Sequence, residues 1–195
     1  MEPAPRRAHD YAPAARSLAV TTLVLGVLAT LAYWAWHQPF MIYPRTLWEI
    51  GRMPPPASLP VPVEGVPVEQ VADSWGAARG PSRSHEGIDI FAPRGTPVLS
   101  TTRGVVSSVR ESGLGGKQVW VLGPGMERHY YAHLDDWAAG LSERQVVRAG
   151  DTLGYVGTSG NARGTPPHLH YGIYGSSGAM DPLPRLRANG PPPES

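Results

Sequence analysis

Beyond residue 60 the chain is interrupted by glycine and proline so often that no run of a dozen residues carries a convincing apolar period of 3.6. With 23 Gly, 22 Pro and 2 Phe in 195 residues, short strands and many turns are favoured over long helices. Candidate strands are Pro97–Thr101, Gly104–Arg110, Gln118–Gly123, Arg128–Leu134, Asp151–Val156 and His168–Tyr174. The expected fold is all-β, an antiparallel β-sandwich or open barrel over residues 61–186. A chain of this length holds one compact domain plus an anchor or linker.

The anchor is legible. Ser17 to Trp36 reads SLAVTTLVLGVLATLAYWAW, with no charge, and as a helix it is long enough to span a bilayer core. Tyr33, Trp34 and Trp36 gather at one end, as in an interfacial belt. Arg6, Arg7 and Arg16 precede the span and the next Lys or Arg is Arg45, so the positive-inside rule places the N-terminus in the cytoplasm and the rest outside. A cleaved signal peptide, with its shorter apolar core and A-x-A site, fits less well. The expected organisation is a cytoplasmic tail at 1–16, a transmembrane signal anchor at 17–36 and a juxtamembrane and proline-rich linker at 37–60. The globular domain follows at 61–186, then a disordered tail at 187–195. Within the linker, Tyr43, Leu47 and Ile50 have helical spacing, and the six prolines between Pro54 and Pro67 predict an extended, semi-rigid spacer holding the domain off the membrane.

The formal charge of +1 argues against a nucleic-acid partner, which needs a strong basic field. Neither glycine-rich loop, 111–116 or 158–164, has the lysine and context of a phosphate-binding loop. The chain contains no cysteine, so any metal must be held by histidine and carboxylate.

Four histidines fall in three compact segments of the β-rich part. His85 and Asp89 form an H-x-x-x-D spacing, with Gly87 between them to let the backbone bend. His168 and His170 flank Leu169; on a strand both project to one face, about 7 Å apart, while Leu169 faces the other. His133 lies in Tyr130-Tyr131-Ala132-His133-Leu134, where alternation places it on the face of Tyr131 and His129. A hydrolytic zinc site needs three protein ligands and an open position for water, and further imidazoles can serve as general base and oxyanion donor. This set can supply both.

In their order these segments resemble the lysostaphin-type (LytM-like) metallopeptidases, which cut peptides in peptidoglycan. The resemblance runs through VEGVPVEQVADSWGAARG at 63–80, HEGIDIFAPRGTPVLSTTRGVVSSV at 85–109 and YYAHL at 130–134. It continues in VVRAGDTLGYVGTSGNA at 146–162, PHLHYGI at 167–173 and Asp181-Pro182. It implies a lysostaphin-like fold, of the duplicated hybrid motif type, with one Zn2+ at the floor of a β-sheet groove. His85, Asp89 and His170 would be its ligands, and His133 and His168 would act on the water and the tetrahedral intermediate. His129 lies outside the family pattern and receives no role.

The implied function is a zinc endopeptidase acting on peptidoglycan cross-links, anchored in the bacterial inner membrane with its domain outside. The alternative is a wall-binding scaffold or hydrolase activator, whose mark would be lost ligands; here the set is complete. Glycine-rich proteins are a further conceivable substrate. Few upstream side chains are suited to occupy the metal, so an open site is expected.

Overall fold

The computed structural model describes residues 12–80 and 82–189. Arg6, Arg7 and His9 of the expected cytoplasmic tail, and the last six residues of the expected C-terminal tail, lie outside the described residues. The chain divides into two units, Met1–Ile42 and Tyr43–Ser195.

The first unit is dominated by helix α1, Ala12–Trp36. Its segment Ala15–Trp36 has a mean hydropathy of 1.9 and is long and apolar enough to cross a membrane. The hydroxyls of Thr21, Thr22 and Thr30 each donate to the carbonyl one turn back at 2.9 Å, so these polar groups are satisfied within the helix.

The second unit is built on nine antiparallel strands. They are β1 (Ile88–Phe91), β2 (Pro97–Leu99), β3 (Gly104–Ser112), β4 (Gly116–Leu122) and β5 (Arg128–Trp137). β6 (Val146–Val147), β7 (Thr152–Val156), β8 (His168–Gly175) and β9 (Gly178–Met180) complete the set. The expected antiparallel β fold is borne out. All six expected strands form; β1, β6 and β9 are additional, being only four, two and three residues long.

The strand order is β1-β8-β5-β4-β3-β6, with β9 on β8 and β2 on β7. β5 changes partner along its length. Arg128–Ala132 pair with β8, whereas Leu134–Trp137 pair with β7. The core is aliphatic and tyrosyl, including Ile88, Ile90, Val98, Val119, Tyr131, Leu134, Leu169, Tyr171 and Ile173.

Helix α2 (Ile42–Arg52) forms over the anticipated juxtamembrane segment, with Ile50 and Thr46 buried and Tyr43 and Leu47 half-buried. Glu49 pairs with Arg103 at 2.5 Å, and the Met53 carbonyl accepts from Gly125 N–H at 2.9 Å. The proline-rich stretch expected as a spacer is packed against the sheet. Leu59 and Val63 are buried in the core, Val63 bridges Val98, and Leu59 N–H donates to the Arg185 carbonyl at 2.9 Å. A short helix α3 (Leu183–Arg187) closes the unit.

Behind the sheet lies a buried polar cluster. The Tyr131 and Tyr171 hydroxyls both meet Thr101 Oγ1 at 2.9 Å, and His129 Nδ1 lies 2.8 Å from the Tyr171 hydroxyl. Burial, aided by the Arg185 charge, lowers His129 to about 3 and keeps it neutral. In the unfolded chain it titrates near 6.5, so below that pH the unfolded state binds the extra proton. This contribution to stability is therefore present above pH 6.5 and lost as pH falls toward 3, at up to about 1.4 kcal/mol per pH unit. Denaturant titrations between pH 4.5 and 7 are expected to show a shallower pH slope for His129→Asn than for the native chain; equal slopes would remove His129 from the acid response.

Candidate metal centre and groove

β1 and β8 run side by side in antiparallel register, and Asp89 is directly paired with His170. That register, and the loop delivering His85 just ahead of β1, gather three ligating side chains. His85 Nε2 is 2.8 Å from His170 Nδ1 and 3.1 Å from Asp89 Oδ1, and His170 Nδ1 is 3.2 Å from the same oxygen. All three atoms lie within 4.8 Å of one another and could hold one metal ion.

The donor chemistry fits such an ion. His85 Nδ1 faces the Ser74 carbonyl at 2.7 Å, and a carbonyl only accepts, so Nδ1 carries the proton and the neutral ring turns the Nε2 lone pair toward its partners. Two imidazole nitrogens and a carboxylate oxygen then converge at 2.8–3.2 Å. A tetrahedral ion with ligands at about 2.0–2.2 Å sets neighbouring donors roughly 3.3 Å apart. The set is borderline-soft nitrogen plus carboxylate, suited to zinc.

Burial opposes ionisation of Asp89, yet the neighbouring His170 and His85 and the Arg79 guanidinium outweigh it and hold the carboxyl well below its usual range. Burial also dominates at His170, lowering its pKa against the upward pull of Asp89. The imidazole is thus available as a neutral ligand.

Gly87 proves necessary, but for a different reason from the bend anticipated. Its φ is not in the left-handed region. A Cβ there would lie 2.6 Å from the Tyr171 carbonyl oxygen and 2.7–2.8 Å from the His170 ring, so glycine lets the chain pass close to the ligand on β8.

His168 and His170 project to one face as alternation predicts: His168 Nε2 lies 4.0 Å from Asp89 Oδ1, and Leu169 is buried in the core. His133 departs from alternation. Tyr131 and His129 turn into the Thr101 cluster, while Tyr130 packs on the groove side against Trp120 and His170. A regular strand would send His133 to the core with Tyr131. Instead it has φ +63° and sits where β5 changes partner, beside a register shift against β4. This bulge turns the ring to the groove, with its centroid 5.1 Å from His168 and 5.9 Å from His170. Left-handed backbone at a non-glycine residue costs energy and concentrates at functional sites.

Both additional imidazoles are oriented alike. His133 Nδ1 donates to the Ser159 carbonyl and His168 Nδ1 to the Pro166 carbonyl, each at 2.9 Å, leaving Nε2 as the free nitrogen. Burial, and then the neighbouring His170, lower His133 to about 4.

The glycine-rich loops meet beside this point. Asn161 N–H donates to the Leu114 carbonyl, Lys117 N–H to Ser159 Oγ, and His133 N–H to the Gly115 carbonyl, all at 2.9 Å. The loops therefore anchor His133 as well as walling the groove. That groove, about 480 Å³, is lined by all five predicted site residues together with Tyr130, Tyr174, Arg79 and Arg83. Sequence reasoning assigned no role to Ser74, whose hydroxyl accepts Asp89 N–H at 3.0 Å, or to Arg79, which pairs with Asp89 Oδ2. Both belong to a segment noted for its overall likeness, without spacing that singles them out.

The profile of peptidase family M23 matches residues 83–182. An L-Ala–D-Glu endopeptidase of Bacillus subtilis is 43% identical over 126 residues, covering 59% of this chain and 39% of that protein. A DD-carboxypeptidase/endopeptidase of Neisseria meningitidis is 38% identical over 89 residues, covering 46% of this chain and 20% of that protein. The chain thus spans well under half the length of these relatives. The crystal structure of the lysostaphin catalytic domain from Staphylococcus simulans superposes with a TM-score of 0.54 at 28% identity, covering 62% of this chain and 95% of that one.

Proposed function

Since this chain belongs to peptidase family M23, we propose that it is a zinc-dependent endopeptidase hydrolysing peptide cross-links of bacterial peptidoglycan. The observation that carries this reading is the convergence of His85, Asp89 and His170 at the floor of a groove that also presents His133 and His168. The names of the relatives, which act on L-Ala–D-Glu and on D,D bonds, support a wall-peptide substrate.

His85 Nε2, Asp89 Oδ1 and His170 Nδ1 would hold the zinc ion. When bound, the ion polarises the scissile carbonyl and acidifies the attacking water. Of His133 and His168, one accepts the water's proton at Nε2 and returns it to the leaving amine; the other, when it carries a proton on Nε2, donates to the developing oxyanion. The backbone carbonyls on both Nδ1 atoms fix the rings for these roles and stabilise the imidazolium form. The pH–rate profiles of the two single variants assign base and donor.

We further propose that α1 spans the inner membrane as a retained anchor, with the basic N-terminal residues in the cytoplasm and the catalytic unit outside. The uncharged run 17–36 within it and the arginines N-terminal to that run support this orientation.

The decisive experiment is digestion of purified sacculi by the detergent-solubilised chain, with added zinc or chelator, read by mass spectrometry of released muropeptides. Zinc-dependent loss of cross-linked dimers is expected, and the product masses name the bond. No release by folded, zinc-loaded protein would redirect the assignment to a wall-binding scaffold.

A further inference from the structure

Upstream of His85, residues 77–79 and 83–85 run antiparallel. Ala78 bridges Ser84, Arg79 N–H donates to the Arg83 carbonyl at 2.9 Å, and His85 N–H donates to the Ala77 carbonyl at 2.9 Å. This register sets Arg79 directly opposite Arg83. Opposed residues of an antiparallel pair share a face, with Cβ atoms about 4.5–5.5 Å apart, and like charges in that position repel. Both arginines line the groove.

Their charge is only partly answered by the protein. Arg79 uses one edge of its guanidinium on Asp89 Oδ2, but its side chain is 44% exposed and its other donors have no partner among the described residues. Arg83 is exposed, and no carboxylate pairs with it among the described residues. Glu86, the other acidic side chain of the lining, pairs with neither arginine. Two guanidinium groups against Asp89 and Glu86 make the lining formally neutral, and a divalent ion makes it positive.

Building on the peptidase reading, we infer that Arg79 and Arg83 form a carboxylate-recognition subsite beside the metal centre, selecting peptides with a free carboxylate on a residue flanking the scissile bond. The planar fork of arginine matches a carboxylate in bidentate geometry, and such charge-assisted bonds are the strong ones. Arg79 is held against Asp89, so a carboxylate on its open edge lies within a residue or two of the metal, each residue spanning at most about 3.6 Å. The bound anion also relieves the repulsion between the two arginines. Wall stem peptides carry such carboxylates on D-glutamyl and diaminopimelyl residues unless these are amidated; glycine bridges carry none.

The test uses a matched pair of peptides, L-alanyl-γ-D-glutamyl-L-lysine and its D-isoglutaminyl amide, with the full chain in detergent. Binding is measured by calorimetry on the metal-free protein and turnover on the zinc-loaded protein. The acid peptide is expected to bind about 10-fold more tightly than the amide or better, the scale of a charge-assisted hydrogen bond. R83Q, which leaves Asp89 untouched, is expected to reduce that preference about 10-fold with zinc content unchanged. Equal binding of acid and amide, or equal losses for both in R83Q, overturns the subsite. Equal cleavage of the two peptides overturns it too while leaving the peptidase reading standing. An acid preference sensitive to R83Q, without turnover of either peptide or of sacculi, supports the subsite and sinks the peptidase reading.

Discussion

His170→Ala is expected to abolish stoichiometric zinc binding while leaving the domain folded. Its Nδ1 lies within 3.2 Å of both other ligand atoms, so removing it leaves two protein donors where a hydrolytic site needs three. Changes to outer partners of metal ligands alone typically cost 10–100-fold in affinity, and loss of a ligand is expected to exceed about 100-fold. The fold survives because β8 is paired with β1 on one side and β5 on the other, and because its core side chains Leu169, Tyr171 and Ile173 are unchanged. Competition with a chromophoric chelator gives the affinity, and circular dichroism reports the fold. A His170→Ala protein holding one zinc at native affinity would refute the ligand assignment.

The second large effect separates chemistry from metal binding. His133→Ala and His168→Ala are each expected to lower turnover on sacculi by about 10²–10⁴-fold, the range for a positioned acid–base group, with zinc content unchanged. Neither ring supplies an atom to the three-residue ligand set, and each is held through Nδ1 by a backbone carbonyl that persists in the variant. His133→Asn is a useful companion, because asparagine tolerates the left-handed conformation found at φ +63° while removing the imidazole. Full turnover by either alanine variant would show that its imidazole takes no part in the chemistry. Full rescue of a deletion phenotype by His133→Ala would favour a scaffold.

These two predictions rest on residues whose legibility in the sequence differed. A strand period of two aligns His168 and His170, and β8 obeys it because it is paired regularly on both sides. His85 and Asp89 had a spacing too common to be informative alone. The register of β1 against β8, which pairs Asp89 with His170, makes them a site. The motif marks His133, but alternation predicts the wrong face for it, since a local pattern of apolar and polar residues does not encode where a strand bulges. The bulge arises because β5 exchanges β8 for β7 within its length, a demand set by three other strands.

The proline-rich segment illustrates the same division. Dense prolines at 54–56 predict extended backbone whatever surrounds it, but whether Leu59 and Val63 face solvent depends on a sheet edge formed by distant residues. Arg79 and Ser74 belong to this class too: nothing in SWGAARG marks partners of Asp89 until this segment lies beside β1.

What the sequence determined by itself is what short-range physics controls. Glycine and proline set the strand lengths, an uncharged run is long enough for a bilayer, the lack of cysteine restricts the metal donors, and alternation aligns a pair of histidines. The tertiary structure alone decided which strand lies beside which, and with it the turned ring of His133, the tight passage at Gly87 and the placing of Arg79 against Asp89. Those features depend on register between segments tens of residues apart, and register is fixed by the shared core rather than by any one segment.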